Sequence, residues 1–104
     1  SIFFTGASAG VKGFPQSATF AMGKFGLRGL AQSMARELHP QNIHVVHVVI
    51  DGGIRSKNEL HKEERRDDAW LLPEEIAETY YHLYTQHRSA WSWEIELRTW
   101  KEKF

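Results

Sequence analysis

Hydrophobic positions in this chain first run together, then spread to helical intervals, run together again, and finally alternate. Ile2-Phe3-Phe4-Thr5 is a short apolar run that predicts a buried strand. From Ser17 to Pro40, Leu27, Leu30, Ala31, Met34 and Leu38 recur at steps of three, four and seven, which predicts a helix with one apolar stripe. Ser17 suits its N-cap, and Pro40, which cannot continue a helix, suits its stop. Ile43 to Ile50, I-H-V-V-H-V-V-I, is β-branched with little alternation, the pattern of a parallel strand covered on both faces. Pro73 then suits a first helical turn, with Glu74 and Glu75 complementing the helix dipole and Ile76, Tyr80, Leu83 and Tyr84 forming the buried stripe. Trp91, Trp93, Ile95 and Leu97 alternate with Ser92, Glu94, Glu96 and Arg98, as in a half-buried strand with one polar face. The order β-α-β-α-β predicts an α/β fold with parallel strands joined by helices.

Three features modify this picture. Gly23, Gly26 and Gly29 sit inside the long helix, each costing about 1 kcal/mol relative to alanine, and the expected compensation is close approach of another backbone. The first strand begins at once, without a preceding cap or turn, and a central strand needs neighbours on both edges. The chain is therefore expected to be one partial domain spanning residues 1–104, the C-terminal part of a longer protein. Residues Lys57 to Ala69 are charged throughout, as in a solvated loop or short helix.

Composition narrows the function classes. Thirteen basic and thirteen acidic residues balance, leaving no global field for nucleic acid or an anionic membrane, so neither is an expected partner. Cysteine is absent, which removes thiol nucleophiles and thiolate metal sites and makes a reducing compartment the default. No apolar run approaches the roughly twenty residues that span a bilayer, and no secretory pattern is visible, so the expected location is the cytoplasm. His44 and His47 fall on opposite faces of a strand, and His82 and His87 have no partner at chelating spacing; no metal site is expected.

The pointed spacing lies on the long helix, where Phe20 and Lys24, four apart, project from one face near its N-terminus. F-A-M-G-K resembles the Tyr-x-x-x-Lys signature of short-chain dehydrogenases/reductases, with Phe20 in the tyrosine position. T-G-A-S-A-G lies upstream near that family's Ser-x-x-Gly element, and D-G-G-I follows the second strand where the family has Pro-Gly-x-Val/Ile. The final helix and strand resemble those of a bacterial-type subgroup, so the resemblance extends over nearly all residues. It implies the C-terminal part of a Rossmann-like doubly wound parallel sheet, an NAD- or NADP-dependent oxidoreductase acting on a small-molecule substrate, and a homo-oligomer, dimer or tetramer, assembled through the long helix.

Carried over residue by residue, the resemblance places Ala7 at the catalytic serine position, with Ser8 adjacent, and Lys24 at the lysine that binds the nicotinamide ribose. It gives Gly52 and Ile54 contact with the nicotinamide carboxamide, while Asp51 replaces the usual proline and Ser56 the usual threonine. Each has a plainer reading: Ser8 as a turn residue bonding to nearby backbone, Lys24 as a solvated helix lysine, and Asp51-Gly52-Gly53 as a simple post-strand turn. Thr5 to Lys12 also tempts a reading as a glycine-rich phosphate loop, but Lys12 fills the last glycine position and Gly13, Phe14 and Pro15 prolong a loop where a helix should begin. Phenylalanine has no proton to transfer and alanine no hydroxyl to offer, so two of the family's three catalytic roles are unfilled. The alternative function is a non-catalytic binding or dimerisation module of the same fold.

Overall fold

The computed structural model describes residues 1–55 and 69–103. Its strands are β1 (Ile2–Ala7), β2 (Val45–Ile50) and β3 (Glu94–Leu97), and its helices α1 (Ala18–Leu38) and α2 (Pro73–Tyr84), in the predicted β-α-β-α-β order. The sheet is parallel with strand order β1-β2-β3. Ile2 pairs with Val45 through to Ala7 with Ile50, and His47 pairs with Glu94 through to Ile50 with Leu97. Among the described residues the outer edge of β1 meets no further strand.

β2 is central, and all six of its residues are buried. That is why its sequence shows no alternation: neither face meets water. Val46, Val48 and Ile50 form a core with Leu71 and Leu83, against which Phe3, Ile76, Tyr80, Ile95 and Leu97 pack. This is the α2 face of the sheet. The opposite face lies against α1, which presents two small residues, Ala31 and Ala35, both buried.

The structure corrects the predicted elements in detail. Leu30 is half exposed, because it lies about 100° around the helix from Ala31 and falls outside the contact arc, which runs through Leu27, Ala31, Met34, Ala35 and Leu38. Tyr84 is displaced from Leu83 in the same way and is also exposed. No backbone approaches Gly23, Gly26 or Gly29: among the described residues a Cβ at any of them would meet nothing within 4 Å. Ser17 occupies the N-cap, but its backbone carbonyl, not its side chain, takes up the first helical amide, from Ala21. α1 stops at Leu38, and the chain turns through a 3-10 turn at His39–Gln41, with Asn42 left-handed (φ 65°), before β2. The strands are shorter than predicted, since Ile43 and His44 precede β2, and Trp91 and Trp93 precede β3. The solvated loop or short helix expected over Lys57 to Ala69 lies almost wholly outside the described residues, as do Ser56 and Phe104. In the described residues on either side, Ile54 pairs with Leu71, whose N–H donates to the Gly53 carbonyl and whose carbonyl accepts from the Arg55 N–H, both at 2.8 Å.

Candidate functional site

Ligands of open parallel sheets bind beyond the C-terminal ends of the strands, and here those ends bring together residues far apart in sequence. β1 runs past Ala7 into a 3-10 turn at Ser8–Gly10. Gly10 is buried, and a Cβ there would lie 3.2 Å from the Lys24 carbonyl oxygen, so the turn rests directly on α1. That contact carries Lys24 to the end of β1. Lys24 Nζ donates to the Thr5 carbonyl at 3.4 Å and stands 5.7 Å from the centroid of the Phe20 ring, which is itself exposed. Phe20 and Lys24 thus lie beside the end of β1. A helix does not open at Gly10: α1 begins only at Ala18, after a loop, so Thr5 to Lys12 does not have the form of a glycine-rich phosphate loop.

At the end of β2, Gly52 has φ +142°, a conformation that L side chains rarely adopt. The Asp51-Gly52-Gly53 turn is thereby directed back toward Leu71, and Ile54, next in line, is half exposed. Ser56 lies outside the described residues.

Ser8 is the turn residue expected, its carbonyl bonding the Val11 and Lys12 amides, but its side chain is neither free nor bonded to nearby backbone. Its hydroxyl donates to Asp51 Oδ1 at 2.5 Å, and Asp51 is only 6% exposed. Arg98 Nη1 lies 2.9 Å from Asp51 Oδ2, an ion-pair contact rather than an aligned hydrogen bond, and Arg98 Nη2 lies 2.6 Å from Glu96. The alternation of β1 separates Ser8 from Ala7. Thr5 bonds the α2 tyrosine Tyr80, so Ala7, two residues on, follows it to that face, while Gly6 and Ser8 turn to the α1 face. Sequence reasoning missed the Asp51 partnership, although an aspartate where the resemblance expects proline was a signal that could have raised it.

A second polar cluster lies deeper under α1. Fully buried His47 donates from Nδ1 to Glu94 Oε2 at 2.9 Å, and Arg28 grips the same carboxylate through Nε at 2.6 Å and Nη2 at 3.0 Å. Burial works to raise the Glu94 carboxyl pKa, but the hydrogen bonds from Arg28 and His47 outweigh it and hold the group below the usual carboxylate range. The bond to Glu94 raises the Arg28 guanidinium against the opposing effect of burial. Two donors on one carboxylate fix α1 to β2 and β3 at once, which keeps Lys24, one turn earlier on α1, in register with β1. At the other end of the sheet His44 stacks on Trp91, with centroids 4.6 Å apart and planes 5° from parallel, and donates to the Ser92 carbonyl at 2.7 Å. Burial lowers its pKa, against the effect of that hydrogen bond.

On the α2 face, a cavity of ≈ 400 Å³ is lined by Thr5, Ile50, Ile54, Pro73, Ile76, Ala77 and Tyr80. Its walls are apolar apart from the hydrogen-bonded Thr5 and Tyr80 hydroxyls, 2.5 Å apart. No sequence motif marks it, because its lining comes from three separate segments. Among the described residues no three His, Asp or Glu side chains assemble into a metal cage, and no helix is long and apolar enough to cross a membrane.

Comparison with known proteins bears on this arrangement. A short chain dehydrogenase family model matches residues 1–67. Among solved structures, a short-chain dehydrogenase from Rhodopseudomonas palustris is 44% identical with a TM-score of 0.72, over 93% of this chain and 37% of that one. A 4-hydroxyisoleucine dehydrogenase complexed with NADH is 26% identical with a TM-score of 0.72, over 92% of this chain and 43% of that one. A serine dehydrogenase complexed with NADP+ shares the fold at 17% identity and a TM-score of 0.79, over 99% of this chain and 45% of that one. The chain therefore spans less than half the length of these structures. No curated protein matches. With its family model matched over well over half of its length, and with the parallel sheet and helices of these structures, this chain belongs to the short-chain dehydrogenase family.

Proposed function

We propose that this chain is the lysine-bearing, C-terminal part of an NAD- or NADP-dependent oxidoreductase that moves a hydride to or from a small carbonyl- or alcohol-type substrate. In this reading Phe20 and Ala7 stand at the tyrosine and serine positions, and Lys24 is retained. The observation that carries it is Lys24, held at 3.4 Å from the Thr5 carbonyl beside Phe20 and the end of β1 in a chain of this family. Relatives solved with NADH and with NADP+ support a nicotinamide cofactor without choosing between the two.

The residues present fit one end of such a cofactor. The Lys24 ammonium has three N–H donors and gives one to Thr5, leaving two for ribose hydroxyls. The Gly52 turn, with Ile54 beyond it, supplies backbone groups at the adjacent strand end, where a carboxamide can be met. A cradle for the pyrophosphate is not formed by Thr5 to Lys12 and must come from elsewhere. A bound nicotinamide supplies or accepts the hydride. Phe20 contributes an apolar wall and no proton, and the Ser8 hydroxyl is already engaged as a hydrogen-bond donor to Asp51. The proton that ends on the substrate oxygen therefore comes from water or another group. Losing a positioned general acid typically costs about a hundredfold to ten-thousandfold in rate.

Restoring the missing groups tests the register. In the full-length protein, Phe20→Tyr combined with Ala7→Ser should raise NAD(P)H-dependent carbonyl reduction at least tenfold. Unchanged rates across a carbonyl panel, with cofactor binding intact, would remove the assignment of residues 7 and 20.

One observation favours a second reading, a non-catalytic module that binds or associates. Phe20, Met22, Phe25 and Leu30 leave a wide apolar surface exposed on α1 beside the three open glycines. A second copy of the chain would cover it, as expected of a homo-oligomer. Tight nucleotide binding without turnover on any substrate, with a mass that halves in Phe25→Glu, is the outcome that would select this reading.

A further inference from the structure

We propose that Arg98 and Asp51 are positioning residues that lock the turn after β1 and the turn after β2 into one rigid rim for the crevice; the inference rests on the cofactor reading above. Three strand ends meet at a single carboxylate. Asp51 closes β2, takes the Ser8 hydroxyl from the end of β1 on Oδ1, and faces Arg98 from the end of β3 on Oδ2. Its own backbone N–H donates to the Leu97 carbonyl at 2.8 Å, extending the β2–β3 ladder one residue past the strands. A proline, the residue that the resemblance leads one to expect here, has no N–H and could make none of these three contacts. The departure at position 51 is thus matched by the partners it finds in Ser8 and Arg98: a side-chain lock replaces the stiffness of a proline ring.

The lock is directed at both turns. Ser8 opens the 3-10 turn, and its carbonyl takes the amides of Val11 and Lys12 at 3.0 and 2.9 Å, so fixing Ser8 fixes the segment that rests on Lys24. Asp51 immediately precedes Gly52, whose φ of +142° sets the second turn. Asp51 is buried, so its carboxylate meets these partners away from solvent. In this arrangement Ser8 acts through Asp51 and does not touch the substrate.

The test uses the full-length protein with Asp51→Asn, Arg98→Met, Ser8→Ala and the conservative Ser8→Thr. Two readouts are taken: amide hydrogen exchange at Val11 and Lys12, with Ile76 in α2 as control, and NADH and NADPH titration by fluorescence. Expected is exchange at least tenfold faster at Val11 and Lys12 with Ile76 unchanged, nucleotide Kd raised at least fivefold by Asp51→Asn, Arg98→Met and Ser8→Ala, and recovery of both in Ser8→Thr. Faster exchange with unchanged Kd would reduce the network to a structural brace and overturn the positioning role. Unchanged exchange would overturn the lock itself. Wild-type protein that binds neither nucleotide would defeat the proposed function instead, and exchange alone would then decide whether the rim is locked.

Discussion

Replacing Gly6 by alanine should destabilise the protein by about 2–4 kcal/mol, a large effect for one methyl group. A Cβ at residue 6 would lie 2.3 Å from Nε2 and 2.9 Å from Cε1 of the His47 ring. Ordinary contact between such atoms is about 3.5–4 Å, so the ring or the strand must give by an ångström or more. Neither is free to do so. The ring is wholly buried and bonded through Nδ1 to Glu94 at 2.9 Å, and β2 is paired on both edges. Overpacking of this kind costs about 1–3 kcal/mol, and losing a hydrogen bond to a charged group about 1.5–3 kcal/mol. One movement causes both losses, so they do not add in full. Urea denaturation of the four members of a Gly6→Ala, His47→Ala cycle measures the effect. With the ring removed, Gly6→Ala should cost less than about 1 kcal/mol, giving a coupling of about 1–3 kcal/mol, as expected for residues in contact. Equal cost in both backgrounds would refute the argument that His47 is what excludes a side chain at residue 6.

Two further predictions concern pH and the second turn. The pKa of buried His44 is lowered from 6.5, so the unfolded chain binds more protons than the folded one as pH falls below that value, and acidification from about pH 6.5 should progressively reduce stability. Glu94, depressed below the carboxylate range, adds a contribution that is present at neutral pH and lost only as pH falls through its folded-state pKa. Urea midpoints between pH 7.5 and 5 should therefore decline in the wild type and flatten in His44→Phe, whose ring keeps the stack on Trp91 without titrating; parallel declines would contradict the assignment. Gly52→Ala forces an L residue to φ +142° with its Cβ 3.0 Å from Glu102 Oε2, and should cost about 1–3 kcal/mol by the same denaturation assay.

The elements that could be read from sequence were those whose cause is local. β2 announced itself because burial on both faces demands an unbroken β-branched run, and α1 was bracketed by Ser17 and Pro40. What the periodicity could not settle was the width of a buried arc, which depends on what the helix packs against, and this is why Leu30 and Tyr84 were misplaced. At the site, the four-residue step from Phe20 to Lys24 was visible, and so was the glycine after β2. The polar clusters were not. Ser8 finds Asp51 across 43 residues, His47 finds Glu94 across 47, and Arg28 finds Glu94 across 66. Nothing near any of these residues encodes its partner, because sheet register alone brings them together. The cavity beside Tyr80 was hidden for the same reason.

The most direct test of the central claim is a fluorescence titration of the full-length wild-type protein and its Lys24→Met variant with NADH and NADPH. The account predicts saturable binding of at least one nucleotide by the wild type and at least tenfold weaker binding by Lys24→Met, with the unfolding midpoint little changed. Absence of saturable binding, or equal affinity in the two proteins, would contradict it.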